Sequence, residues 1–166
     1  MAVTGKIDRK YMAHFLDASF NGESANWVRL GKDLEEYTIE LNPDTETTKN
    51  ILGEESFRHN GYEASSSADP YYAEVGDPLF EKLQTIVDER AKDDSLKTSA
   101  IEVHMWEGEE TSYVAYKQEC YVVPTSYGGD TSGYQIPFTV HYSGSRVKGT
   151  YNASTRTFTE AGKALS

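Results

Sequence analysis

The sequence predicts a mainly β chain of the α+β class, a β-sandwich or barrel with one helix packed against it. Three observations carry that prediction. Runs of alternating apolar and polar residues, the period-2 mark of a half-buried strand, recur between turn signals from residue 11 to residue 159. One stretch, 77–91, instead repeats its apolar residues at helical spacing. Aromatics make up 12% of the 166 residues, with 12 tyrosines among them. That composition suits strands with one wet face and broad interfaces, where Tyr offers apolar area and a polar tip.

Residues 1–10 are polar and read as a mobile or partner-ordered arm. Residues 11–20 read as a strand with Met12, His14, Leu16 and Ala18 on one face and Tyr11, Ala13, Phe15 and Asp17 on the other. Asn21-Gly22 is a turn signal, and a short strand follows at 27–30. In 34–41, Tyr37, Ile39 and Leu41 alternate with Glu36, Thr38 and Glu40, which predicts a half-buried strand with an acidic outer face.

Asn42-Pro43-Asp44 turns the chain into a polar excursion, 42–68. Two extended pieces there, 47–52 and 57–63, can pair with each other. They cannot bury a face of their own, because Ile51, Leu52, Phe57 and Tyr62 are their only large apolar side chains. A long segment of this kind in a small domain is functional or disordered.

Asp77 caps the helix and Pro78 fits its first position, where a missing N–H costs nothing. Leu79, Phe80, Leu83, Ile86 and Val87 form the apolar stripe, and the helix ends near Ala91. Strands return at 98–106, at 112–123 up to Pro124, and at 134–142, where Pro137 signals an edge or bulge. The glycine-rich stretch 127–133 separates the last two. A closing hairpin, 147–151 with 156–159, turns at Asn152-Ala153-Ser154, for about eight strands in all.

Length fits a single domain, 1–166, able to bury a core without staples. The net charge of -11 argues against sequence-independent binding of DNA or RNA. It is uneven: residues 35–123 hold 21 acidic and 7 basic side chains, whereas both ends are mildly basic. Solvation is the simpler reading, and head-to-tail contact between copies the sharper one. The lone Cys120 allows no internal disulfide and suits a reducing compartment. No signal peptide and no apolar run of membrane-spanning length are read.

Chemistry-bearing patterns are weak. His14, His59, His104 and His141 have no metal-ligand spacing with one another or with Cys120. The 127–133 stretch lacks the Lys-Ser/Thr ending of a phosphate loop and precedes a strand, so turn geometry explains its glycines. Glu35-Glu36, Glu54-Glu55, Asp93-Asp94 and Glu109-Glu110 sit in solvated stretches. No catalytic residue, cofactor or metal site is expected, and the chain reads as no enzyme. One stretch resists a bland reading: Tyr62, Tyr71 and Tyr72 crowd a polar region just before the helix. They pack over the helix N-terminus or form an interface.

Several stretches resemble the major tail protein, or tail tube protein, of long-tailed phages of Gram-positive bacteria. They are Lys10-Tyr11-Met12-Ala13-His14-Phe15-Leu16-Asp17, Val28-Arg29-Leu30-Gly31-Lys32-Asp33-Leu34-Glu35-Glu36 and Lys49-Asn50-Ile51-Leu52-Gly53-Glu54. The stretches 69–83 and 127–138 belong with them, so the resemblance spans 10 to about 150. It implies a tail-tube-type β-sandwich or barrel with a flanking helix, hexameric rings stacked into a tube, and DNA passing through the lumen without specific binding. It further implies 42–68 as an extended inter-subunit loop, with 1–10 and 155–166 as arms, the latter including the closing hairpin strand.

On this reading Ile51, Leu52, Phe57, Tyr62, Tyr71 and Tyr72 are candidate subunit-interface residues, and Glu36, Glu40 and Glu102 candidate lumen residues whose charge repels phosphate. The partners are copies of the chain, with a tape-measure protein, a tail terminator and a distal tail protein. No membrane partner is implied. The place is the tail of a virion made in the host cytoplasm. Two rivals are an aromatic-rich β-sandwich that binds carbohydrate and, last, a small hydrolase using an acidic pair.

Overall fold

The computed structural model describes residues 4–20, 24–31, 34 and 36–161. Asn21-Gly22, Lys32 and the ends of both arms, 1–3 and 162–166, lie outside the described residues. The elements in chain order are β1 (Met12–Asp17), β2 (Trp27–Leu30), β3 (Pro43–Lys49), β4 (Glu55–Tyr62), β5 (Ser65–Ala68), α1 (Pro78–Glu89), β6 (Lys97–His104), β7 (Tyr113–Pro124), β8 (Gly128–Asp130), β9 (Gly133–Gln135), β10 (Phe138–Asn152) and β11 (Thr157–Glu160). The fold is mainly β with one α-helix, as the alternation predicts.

One antiparallel sheet organises the chain, in the order β11-β10-β7-β6-β1-β2. β5 also joins it, on β10. The 15-residue β10 runs along β7 and shares its other edge between two partners. Phe138 to His141 pair with β5, and Gly149 to Asn152 pair with β11. Its register shifts between Ser143 and Val147. Such a bulge bends a strand and increases its twist. The sheet curls accordingly, so that Tyr151 on β10 meets Phe15 on β1 at 4.9 Å between ring centroids, although β7 and β6 lie between them in strand order.

Curling gives the sheet two cores. On one face Leu16, Ala100, Cys120, Val122, Phe138 and Val140 pack beneath Leu79, Leu83 and Val87 of α1. On the other, Ala13, Phe15, Trp27, Ile101, Val103, Ala115 and Tyr151 pack against one another. Strand β1, between β6 and β2, is therefore buried on both faces from Ala13 to Asp17. Both faces read from the sequence, His14 and Leu16 on one and Ala13 and Phe15 on the other, are thus covered.

The helix forms as its sequence dictates. Asp77 Oδ1 accepts from the Leu79 N–H at 3.0 Å, and Pro78 follows at the first helical position. Arg90 adopts the left-handed conformation at the C-terminus, where its N–H donates to the Ile86 and Val87 carbonyls. The Tyr71 hydroxyl donates to Asp77 Oδ2, so one carboxylate caps the helix and anchors the preceding loop. Replacing Asp77 by Ala removes both bonds. The expected loss is about 2 kcal/mol, roughly 1 for the cap and 1 for the hydroxyl. Urea unfolding checks it, with Tyr71→Phe losing only the second share.

The structure departs from the sequence-based expectations in four places. Segment 36–41 buries Tyr37, but among the described residues its ladder is a single bridge, Glu40 to Ser65, so it is not a strand of the sheet. Within the excursion 42–68 the two extended pieces do pair, as the β3–β4 hairpin, and the departure is at its end, where β5 belongs to the main sheet. The glycine-rich stretch contains the small β8–β9 hairpin. The strand expected at 134–142 splits at Ile136-Pro137, because proline has no N–H for a ladder. Beyond that break, β10 continues through the bulge to Asn152 without the expected interruption.

Candidate functional site

The β3–β4 hairpin stands off the body of the chain. Every residue of β3 is exposed, and β4 is exposed apart from a half-buried Gly61. Its register places Glu46 opposite Arg58 and Lys49 opposite Glu55, pairs of opposite charge that favour this pairing. At the tip, Asn50 Oδ1 accepts from the N–H groups of Leu52 (2.9 Å) and Glu54 (3.0 Å), and Gly53 takes a positive φ of 81° that only glycine adopts without strain. Ile51 and Leu52 are 103% and 77% exposed, Phe57 70% and Tyr62 61%. A two-stranded hairpin alone in water is marginally stable, and among the described residues nothing covers this one.

At the base of the hairpin lies a trough of about 850 Å³. Its floor is Met12, His14, Ala100, Tyr116 and Tyr142, and Leu41 and Tyr62 stand where the hairpin leaves the body. Arg9 closes one side: its guanidinium donates to the carbonyls of Met12 and Tyr37, each at 2.8 Å, and so straps the 36–40 segment to β1. The segment is also held by a hydroxyl cluster. Ser66 Oγ donates to the Tyr37 hydroxyl at 2.7 Å, and the Tyr37 and Tyr142 hydroxyls are 2.9 Å apart. Burial holds both phenols above their ordinary pKa, so they remain neutral hydrogen-bonding groups.

His14 is the polar group at the bottom. It is 6% exposed, its ring lies 4.6 Å from that of Tyr37, and its Nε2 is buried with no hydrogen-bond partner among the described residues. Burial and then the Arg9 charge push its pKa down from 6.5 to about 4; Glu102 opposes the shift, and His104 and Arg29 add to it. The folded chain thus keeps His14 neutral where the unfolded chain has already taken a proton. Stability contributed by the neutral ring is full above pH 6.5 and is lost as pH falls towards 4, by about 3 kcal/mol. Urea midpoints measured at pH 7.5 and 5 should fall more steeply for the natural chain than for His14→Gln.

The candidate residues separate into three groups. Ile51, Leu52, Phe57 and Tyr62 all lie on the projecting hairpin. Tyr71 and Tyr72 pack on their own chain: Tyr71 meets Phe138 edge-on at 5.5 Å, and Tyr72 bridges to Gln135. For Tyr71 the packing over the helix N-terminus is what the structure shows. Glu36 and Glu40 are exposed. Glu102 is not a bare carboxylate: it lies 2.6 Å from His104 Nε2 and 3.0 Å from Arg146 Nη2, and its side chain is 16% exposed.

Sequence reading missed Arg9, Arg146 and His14 as trough residues. Only the fold unites them, and a lone basic residue in a strand or arm carries no signal of its neighbours. Cys120 is buried, and burial foremost, then Asp17 and Glu119, pushes its thiol up to about 12, a protonated and unreactive state. Among the described residues no group of His, Cys, Asp and Glu could hold a metal, and no helix is long and apolar enough to cross a membrane.

No family model and no curated sequence matches the chain. Two solved structures share its fold over almost its whole length. The tube-terminating cap of the anti-feeding prophage superposes with a TM-score of 0.51 at 12% identity, covering 90% of this chain and 95% of that one. The sheath/tube terminator of the PVC extracellular contractile injection system, in its extended state, gives 0.50 at 9% identity, covering 89% and 99%. These are likenesses of fold. At such identity they carry no residue-by-residue correspondence.

Proposed function

We propose that this chain is a structural subunit of a phage-tail-type tube and works by assembling with copies of itself into rings. The observation that carries the reading is the β3–β4 hairpin. It is long, exposed along both strands apart from Gly61 and apolar at its tip, and nothing among the described residues covers it. The resemblance to tail tube proteins and the fold shared with two tube terminators support the same class. Neither catalysis nor a cofactor enters this function.

In the fuller form of the proposal, hexameric rings stack into a tail tube in a virion. Tape-measure, terminator and distal tail proteins are its neighbours, and exposed acidic groups such as Glu36 and Glu40 keep the passing DNA from adhering. A second reading, a ring that ends a tube rather than forming it, is favoured by the terminator fold of both structural neighbours. Negative-stain electron microscopy of the concentrated protein tests both. Long stacks are expected of a tube subunit and single rings of a terminator. A monomer that forms neither, alone or with its tail proteins, contradicts the proposal.

A further inference from the structure

Asn60-Gly61, near the foot of the β3–β4 hairpin, is built unlike the rest of its strand. Thr45 lies opposite His59 and Asp44 opposite Gly61, so Asn60 is the extra residue of a bulge, with no partner on β3. Asn60 is exposed, and among the described residues no hydrogen bond holds its carboxamide. Gly61 takes a positive φ of 124°, and a Cβ built there would meet nothing within 4 Å, so the space beside it is open. The Gly61 N–H donates to His59 Nδ1 at 3.1 Å. The His59 ring is steadied by that of Tyr62, 4.6 Å away between centroids. An imidazole nitrogen that accepts a hydrogen bond carries no proton. A base therefore sits on the amide that follows an unrestrained asparagine.

The other described asparagines differ. Asn50 and Asn152 engage their side-chain oxygens with N–H groups of their own turns, Leu52 and Glu54 for the first, Ser154 and Thr155 for the second. Asn42 precedes Pro43, which has no N–H, and Asn26 precedes the bulky, buried Trp27. We propose that Asn60 is a self-modification site, converted to aspartate and isoaspartate without another enzyme, with His59 as the general base. His59 Nδ1 takes the Gly61 proton as the Gly61 nitrogen attacks the Asn60 side-chain carbonyl carbon. The new C–N bond closes a succinimide ring. The carboxamide C–N bond breaks, and its nitrogen leaves as ammonia with the proton that His59 returns. Water then opens the ring at either carbonyl and restores the Gly61 N–H, with nothing oxidised or reduced. The product carries a carboxylate in place of the carboxamide and, in the isoaspartyl form, one more backbone carbon, next to the Asp44–Gly61 pair. This chemistry is independent of assembly and goes beyond the proposed structural role.

Two rates decide it. The purified full chain and a synthetic peptide of residues 55–62 are kept at neutral pH and physiological temperature. Mass spectrometry of the fragment that holds Asn60 follows the small mass gain as NH2 gives way to OH, and an isoaspartate methyltransferase counts the isoaspartyl product. In the peptide nothing holds His59 against Gly61, so the full chain should convert about tenfold faster or more. His59→Phe keeps a ring beside Tyr62 but offers no base. It should slow the full chain by about tenfold or more, to the rate of the peptide, and His59→Gln should do the same. Asn60→Ser should abolish the mass gain in that fragment. All three changes lie on the exposed hairpin, outside both cores, so the subunit folds with each of them. A full chain that converts no faster than the peptide overturns the proposal. So does a rate unmoved by both His59 changes, or a mass gain that persists in Asn60→Ser.

Discussion

Replacing residues 43–62 by a short Gly-Ser turn is expected to leave a folded subunit that no longer assembles. The hairpin contributes little to its own body: its residues are exposed along both strands, and neither core includes a residue from it. Surface changes of this kind alter stability by about 0.5 kcal/mol or less. The replacement also joins points already close together, because Asn42 Nδ2 donates to the Glu63 carbonyl at 3.0 Å and Glu40 pairs with Ser65. The thermal midpoint should thus be nearly unchanged while rings or tubes vanish from electron micrographs. A shortened chain that assembles as before would show the hairpin to be an ornament. One that fails to fold would show that it belongs to the core.

Phe138→Ala should have the opposite profile, with a large loss of stability. Phe138 is 1% exposed and lies where β10, β5, β7 and the Tyr71 ring converge beneath the helix. Truncating such a ring leaves a cavity and costs about 3–5 kcal/mol, a large share of the roughly 5–15 kcal/mol that stabilises an ordinary domain. Urea midpoints measure it. Phe57→Ala, which removes the same atoms from the exposed hairpin, should shift the midpoint by about 0.5 kcal/mol at most. The contrast separates residues that hold the subunit together from residues that await another subunit. Comparable losses at both positions would mean that the hairpin is folded against the body in solution.

Much of this was legible in the residues because local and tertiary preferences agree. The helix has a cap, a proline at its first position and a stripe at 3.6 spacing, and the structure places α1 within that span. Trp27 to Leu30 forms the short strand expected there. In 97–104 Ile101 and Val103 are buried as their alternation predicts, although Thr98 to Ile101 are buried in succession because both cores meet that strand, and in 113–124 Ala115 serves one core while Cys120 and Val122 serve the other.

Other features depend on partners far along the chain. Ser65 to Ala68 has no apolar run, yet Ser66 and Ala68 are buried because β10 pairs with them and Tyr37 accepts the Ser66 hydroxyl bond. Segment 36–41 buries Tyr37 and half-buries Ile39 as expected but leaves Leu41 exposed, and among the described residues its ladder is the single bridge to Ser65, a matter of sheet topology that periodicity cannot report. The candidate interface was half legible. Ile51, Leu52, Phe57 and Tyr62 stood out as apolar groups with nothing local to cover them, whereas the trough draws on residues from 9 to 146 and exists only once the sheet has curled.

Hydrogen exchange of the 43–62 amides, compared between assembled and dissociated protein, tests most directly whether a second copy covers the hairpin. Amides at the tip and along both strands should exchange rapidly in the dissociated subunit, as expected of a solvated two-stranded ribbon, and become strongly protected on assembly. Equal exchange in the two states, or slow exchange already in the lone subunit, would contradict the account.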